Sequence, residues 1–200
     1  MTMADPPQGP EVPKGSVPAM SSGRLRVLAV VALSGAVVGV AIIVASAFPG
    51  TGPASTRLWP WLFGMVFPIF AIAVVTERAA GPRRAQRRRP GVKADDWFRE
   101  LLRWLPPGAG PVLRVVLALG VVNFVIVVAT TPGQPETENG RHYANIHGSL
   151  TELTAPQFDS AERAEARGFA GHAVMLDSIG AAILMANSRR RRYERAAGTV

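Results

Sequence analysis

The sequence predicts an all-α integral membrane protein, a four-helix bundle with a short interfacial amphipathic helix and a disordered N-terminal tail. Three observations predict this fold class. Apolar residues are gathered into four long blocks instead of being spread along the chain. Each block approaches or exceeds the roughly 20 residues that a helix needs to cross a bilayer. The basic residues lie mainly at the ends of these blocks, where a membrane protein carries them.

The predicted layout follows these blocks in chain order. The predicted segments are a disordered cytoplasmic tail at 1–23, three spans within 24–131 at about 27–48, 58–76 and 111–131, a basic cytoplasmic loop at 77–93, an interfacial helix at 94–105, an extracytoplasmic polar segment at 132–167, a fourth span at 168–187 and a basic cytoplasmic tail at 188–200. The tail at 1–23 is rich in Pro, Gly and Ser and lacks apolar periodicity, which is typical of disorder.

The basic loop, ERAAGPRRAQRRRPGVK, fixes the predicted orientation. Positive charge beside a span resists translocation, so we expect this loop and both termini in the cytoplasm of a bacterium, with the chain in the plasma membrane. We also expect two arginine groups to attract anionic lipid headgroups. They are Arg83, Arg84, Arg87, Arg88 and Arg89 in the loop, and Arg189, Arg190, Arg191 and Arg192 in the tail. Although the net charge of +8 would suit nucleic-acid binding, this placement favours the membrane, and we expect no nucleic-acid partner.

The first span carries two features that need interpretation. Ala45-Ser46-Ala47 resembles a signal-peptidase site. The apolar run before it is longer than the 7–15 residues usual in a signal peptide, so we predict that the span stays attached. Gly35 and Gly39 form a GxxxG pair, which lets a neighbouring helix approach closely. The pair predicts helix packing but identifies no partner.

The next segments contain a proline and an amphipathic pattern. Pro68 lies within span two and should kink it. In 94–105, apolar side chains recur on one helical face and Pro106-Pro107 ends the helix. That face is formed by Trp97, Leu101, Trp104 and Leu105. Such a short helix most simply lies in the cytoplasmic interface, with a docking face for a partner protein as the alternative.

Three polar residues fall in the last two spans and are the candidate site residues. Asn123 lies in span three, and His172 and Asp177 lie in span four. Estimated depths place Asp177 level with Asn123, which predicts a hydrogen bond between them. The functional interpretation makes Asp177 a proton-relay or ion site. The structural interpretation makes it a packing bond between helices.

No motif in the chain predicts catalysis. The absence of cysteine removes thiol chemistry. His172, Asp177 and Ser178 point in different directions on one helix, so they do not form a hydrolase triad. Glu138, His142 and His147 hold metal-ligand atoms, but Gly140 argues against a helix that would present them together. We therefore expect no catalytic residue, metal site or cofactor, and no enzymatic activity.

Residues 147–176, HGSLTELTAPQFDSAERAEARGFAGHAVML, carry the pattern HG…T-E-L-T…R-x-F-x-G-H. This segment resembles the region before the last span in uncharacterised small four-span integral membrane proteins of actinobacteria. The resemblance covers this segment and the general layout. It implies a bacterial membrane protein and brings no activity. Thr154-Ala-Pro-Gln157 is also a capping box, which predicts a helix from about 155 into the last span.

These observations leave two function hypotheses. The first is a non-enzymatic membrane protein that packs with or supports other membrane proteins, either a different protein or further copies of itself. The second is a small transporter or proton-linked channel subunit that uses Asp177. The few polar groups in the spans and the absence of a visible inverted repeat favour the first.

Overall fold

The computed structural model describes residues 20–48, 59–87, 95–131 and 133–198, with the side chains of 59–63, 80–87 and 95–96 left undescribed. Most of the described chain is helical. The helices are α1 (Ser22–Ala45), α2 (Trp59–Arg87), α3 (Asp95–Trp104), α4 (Ala109–Thr130) and α5 (Ala155–Ala196), and the strands are β1 (Gln134–Glu138), β2 (Arg141–Ile146) and β3 (Ser149–Glu152). The predicted disordered tail lies outside the described residues up to position 19.

Three of the described helices are long and apolar enough to cross a membrane: α1, α4 and α5. At 1.5 Å per residue, the 24 residues of α1 and the 22 of α4 extend about 36 and 33 Å, close to the bilayer core of about 30 Å. The described side chains of α2 cover only 64–79, a stretch shorter than the roughly 20 residues of a span. The four-span count therefore stays a prediction.

The helix α5 lies at the centre of the fold. Helices α1, α2, α3 and α4 all pack on it, and among the described residues the contacts of these four helices with one another are smaller. In the span-forming stretch of α5, 67% of the residues are buried, against 22% in α1 and 11% in α4. The helix α5 is thus the hub, and α1 and α4 turn most of their apolar side chains outward.

Small residues let the outer helices approach the hub. A methyl group on Gly39 of α1 would lie 2.6 Å from Val174 Cγ2 and 3.2 Å from the Ala170 carbonyl oxygen of α5. On α4, a methyl on Gly120 would lie 2.7 Å from Met175 Sδ. Carbon atoms pack at about 3.5–4.0 Å, so a methyl group does not fit at Gly39 against the Ala170 backbone, and at Gly120 the Met175 side chain would have to shift. The GxxxG pair of α1 therefore faces α5.

The predicted helix starts agree with the structure where a cap was recognisable. Thr154 and Gln157 form the capping box at the start of α5, and the Thr154 N–H donates to Gln157 Oε1 at 2.9 Å. Helix α1 begins at Ser22, earlier than the predicted span, because Ser21 accepts a hydrogen bond from the Arg24 N–H at 3.3 Å. Hydropathy marks where a span is apolar, whereas the cap decides where the helix starts.

The prediction of an all-α fold is wrong in the outer segment. Strands β1, β2 and β3 form an antiparallel sheet in that order. Two-residue turns join them, with positive φ at Asn139 and Gly140 and again at His147 and Gly148. An Asn-Gly turn of this kind matches the twist of a hairpin, so Gly140 creates a strand connection here instead of an irregular loop.

The predicted basic loop is also partly helical. Helix α2 continues past 76 to Arg87 and passes through both Pro68 and the Gly81-Pro82 pair without ending. At Gly81-Pro82 the flanking alanine and arginine residues are strong helix formers, and outside the apolar stretch water can satisfy the carbonyl that Pro82 leaves free. The rest of the predicted loop, 88–93, lies outside the described residues.

The amphipathic helix forms close to its predicted bounds, but its apolar face packs inside the molecule. Leu101 and Leu105 are buried in the same core as Leu25 of α1 and Leu184 of α5. Trp97 Nε1 donates a hydrogen bond to Glu77 Oε1 of α2 at 2.9 Å. Helix α3 therefore ties α2 to the hub.

Candidate functional site

Asp177 lies on α5 where this helix packs against α1. Its side chain is directed at Gly35, so that a methyl group there would lie 3.2 Å from Asp177 Cγ and nearer still to Oδ2. The residue is only 2% exposed. Its Oδ2 atom has no hydrogen-bond partner in the described part of the chain. A buried carboxyl oxygen without a partner is costly, which makes this position unusual within an otherwise small-residue interface.

Asn123 does not meet Asp177, so the predicted hydrogen bond between them is wrong. Asn123 Nδ2 donates to the Arg167 carbonyl oxygen at 3.1 Å, and the side chain lies against Gly171. The six residues from Gly171 to Asp177 correspond to about 9 Å along the helix axis. The depth estimate failed because Asn123 of α4 packs against α5 near Gly171, whereas Asp177 faces α1.

His172 is held by its own helix and by α4. Its Nδ1 lies 2.7 Å from the Gly168 carbonyl oxygen, so the Nδ1–H tautomer donates to it. The ring meets Phe124 edge-on, with 5.4 Å between the ring centres. Both contacts fix the imidazole in the α4–α5 interface, at the level of Gly168 and Phe124. They do not bring it to Asp177, and the two residues therefore do not form one site.

The sheet separates the candidate metal-ligand residues of segment 132–167, which are Glu138, His142 and His147. His142 of β2 stacks on Phe158 of α5, with ring centres 4.1 Å apart, and its Nδ1 lies 3.3 Å from Thr137 Oγ1. His147 occupies a hairpin turn instead. Among the residues that the structure describes, no group of three His, Cys, Asp or Glu side chains could hold a metal ion.

The C-terminal end of α5 carries a polar cluster that the sequence did not predict. Ser188 Oγ donates to the Ser22 carbonyl oxygen at 2.8 Å, and Arg191 donates to the carbonyl oxygen of Met20. Arg190 pairs with Glu194 at 3.2 Å and with Glu100 of α3 at 3.7 Å. This cluster fastens the start of α1 and the middle of α3 to the hub. Its only sequence signal was a serine directly before the arginine run.

The cluster divides the predicted headgroup-binding arginines into two kinds. Arg190 and Arg191 are used inside the molecule, and the side chain of Arg190 is only 13% exposed. Arg189 and Arg192 are exposed. The side chains of Arg83, Arg84 and Arg87 lie outside the described residues, as do Arg88 and Arg89 entirely.

The chemistry available at Asp177 is that of a single carboxyl group in an apolar interface. Ser178 follows it on the same helix and is also buried. Neighbouring helical positions point about 100° apart, so the hydroxyl does not share the carboxyl's direction. Such a group can accept or release a proton or hold a cation, but it lacks the base and the oxyanion donors that a nucleophilic mechanism requires.

No family model, curated protein or solved structure matches this chain. The resemblance of 147–176 to actinobacterial four-span proteins therefore remains an expectation from the sequence. Within that segment the structure assigns clear local roles. Thr154 and Gln157 start α5, and Gly168 and Gly171 let Val127 and Asn123 of α4 approach it. The pattern R-x-F-x-G-H thus coincides with the contact between α4 and α5.

Proposed function

We propose that this chain is a non-enzymatic multi-pass membrane protein that acts by packing its outer helices against other membrane proteins. The supporting observation is the way α4 joins the fold. Among the described residues it packs on α5 and makes no comparable contact with α1 or α2. Most of its length is exposed and apolar, including Val121 and Val125. Open surface on both sides of an outer helix gives another transmembrane helix a place to lie.

The proposed topology has four spans, with both termini in the cytoplasm and the sheet outside. In this arrangement α2 is the additional span and the arginines at 189–192 lie inside, as the positive-inside rule requires. The sheet and the polar start of α5 then project from the opposite face. The 42 residues of α5 would extend about 63 Å, far beyond a bilayer core of about 30 Å. Such a length suits a helix that emerges on at least one side.

Site-specific photocrosslinking in native membranes tests the proposal. A photoreactive side chain at Val121 of α4, which is 56% exposed, should give a discrete adduct with a membrane protein or with a second copy of this chain. The same group at Ser149 of β3 is the control for a position exposed on the sheet. Adducts with lipid alone at Val121, with protein expression at its natural level, would contradict the proposal.

Asp177 supports a second candidate, a small transporter or proton-linked channel subunit. The specific observation is its buried carboxyl oxygen without a hydrogen-bond partner in the described residues. An ionisable residue placed inside a membrane bundle is costly and often marks an ion or proton path. Here the carboxyl lies between α1 and α5, the two helices with the most extensive mutual contact.

Flux measurement separates the two candidates. In proteoliposomes with a proton gradient, the transporter hypothesis expects a proton flux that Asp177→Asn abolishes. The Asn123→Leu variant is the control, because Asn123 is also a polar residue within a predicted span but lies away from Asp177. Absence of flux from the folded wild-type protein would remove the transporter hypothesis and leave the packing proposal.

A further inference from the structure

A cleft of about 450 Å³ lies at the turn between α3 and α4. Three arginines from three different helices line it: Arg103 of α3, Arg114 of α4 and Arg189 of α5. Pro106 and Pro107 form part of its apolar wall. Because α3 and α4 both pack on α5, the fold brings these arginines together from positions far apart in the sequence.

The positive charge of the cleft is not compensated within the described part of the chain. None of the three guanidinium groups makes an ion pair or a hydrogen bond there. The nearby carboxylate of Glu100 pairs with Arg190 instead. Guanidinium groups bind phosphate oxygens through paired N–H donors, so three of them around one cleft favour a phosphate anion.

The surface beside the cleft is apolar. From Arg114 onward, α4 exposes Val115 and Leu119, which are 57% and 62% exposed. A ligand that places a phosphate among the arginines would therefore have hydrocarbon-compatible surface next to it. A phospholipid combines these two properties, whereas a free phosphate uses only the first.

We propose that the cleft binds the phosphate headgroup of one anionic phospholipid, whose acyl chains lie along the exposed face of α4. This site is distinct from the arginine groups predicted from the sequence, since only Arg189 belongs to both. It does not depend on the packing function proposed above. It requires only that the cleft faces a lipid leaflet.

Lipid binding by the purified full-length protein in a neutral detergent tests the proposal. The probe is dihexanoyl phosphatidylglycerol, and the readout is the number of lipids retained in native mass spectrometry as the probe is titrated. The test variant replaces Arg103, Arg114 and Arg189 by Gln. The control variant replaces Arg24, Arg26 and Arg192 by Gln, three exposed arginines of equal total charge that do not line the cleft.

The wild type and the control variant should each retain one tightly bound lipid. The test variant should bind it about 100-fold more weakly, because about 1 kcal/mol for each of the three basic residues sums to about 3 kcal/mol and each 1.4 kcal/mol is about tenfold. Equal weakening in both triple variants would reduce the effect to general charge and overturn the site. If the triple variant fails to fold, the same comparison is made between Arg114→Gln and Arg26→Gln.

Two further binding measurements distinguish the phosphate of a phospholipid headgroup from free phosphate. Dihexanoyl phosphatidylcholine should bind more weakly than phosphatidylglycerol, because it carries no net charge. Inorganic phosphate in excess should displace the lipid only partly, since it lacks acyl chains. Complete displacement at equal concentration would show a site for free phosphate and overturn the lipid proposal.

Discussion

At the scale of single residues, Asp177 places a carboxyl group between two closely packed helices. Gly35 leaves the space for it, and Val174 one turn earlier fills the space beside Gly39. The carboxyl oxygen Oδ2 gains no hydrogen bond among the described groups. An apolar residue would avoid that cost, so the presence of aspartate is not explained by stability.

The first prediction concerns the effect of Asp177→Asn on stability. The amide is nearly isosteric and avoids burying a carboxylate, so the free energy of unfolding in detergent should stay the same or rise. Ser188→Ala is a positive control, because it removes the buried bond to the Ser22 carbonyl oxygen and should cost about 1–3 kcal/mol. Thermal unfolding of the purified variants measures both. A comparable loss in Asp177→Asn would show that the carboxyl makes a stabilising bond.

At the scale of elements, the interfaces around α5 depend on small residues. A partner helix comes within methyl distance of Gly35 and Gly39 on α1, of Gly120 on α4, and of Gly168 and Gly171 on α5. Because dispersion contacts are many and short-ranged, one added methyl at such a position separates the helices along several residues.

Gly39→Ala should therefore destabilise the protein by about 1–3 kcal/mol, because the added methyl meets the Ala170 backbone, which cannot move aside. Gly64→Ala is the matched control. A methyl on Gly64 meets nothing within 4 Å, and alanine is the better helix former, so this variant should be neutral or up to about 1 kcal/mol more stable. The free energies of unfolding of the two variants are measured in the same detergent and compared. Equal effects would contradict close packing of α1 on α5.

A second element-scale prediction concerns α3. Leu101 is 4% exposed within the core, whereas Leu119 of α4 is 62% exposed. Leu101→Ala should cost about 2–5 kcal/mol through the cavity that it leaves. Leu119→Ala, which deletes the same atoms from an outward-facing position, should cost far less. If the two variants lose similar stability, α3 rests on the membrane surface and does not contribute to the core.

The sequence predicted those elements whose signal is local. The capping box of α5 and the amphipathic face ended by Pro106-Pro107 gave bounds close to the observed ones. The sheet was not predicted, because β3 is exposed throughout and shows no apolar alternation. The turn at Asn139-Gly140 was the available signal. The predicted hydrogen bond between Asp177 and Asn123 was wrong for another reason. The face of α5 that each neighbouring helix covers depends on the packing of the whole bundle.

At the scale of the whole molecule, one long helix organises the structure. Its N-terminal part supports the sheet, where His142 of β2 stacks on Phe158 of α5. Its middle part receives α1, α2 and α4, and its C-terminal part fastens the start of α1 and the middle of α3 through Ser188 and Arg190. This arrangement has a direct consequence. If α5 crosses the bilayer, the sheet and the arginine cluster lie on opposite sides.

The accessibility of single cysteines at the two ends of α5 tests most directly whether the sheet and the arginine cluster lie on opposite sides of the membrane. The chain has no cysteine, and both Ser149 before α5 and Ala197 after it are exposed. With an impermeant thiol reagent, Ser149→Cys should be labelled in intact cells, whereas Ala197→Cys should be labelled only after the membrane is permeabilised. Labelling of both in intact cells, or of Ala197→Cys alone, would contradict a bundle built around a spanning α5 with the sheet outside.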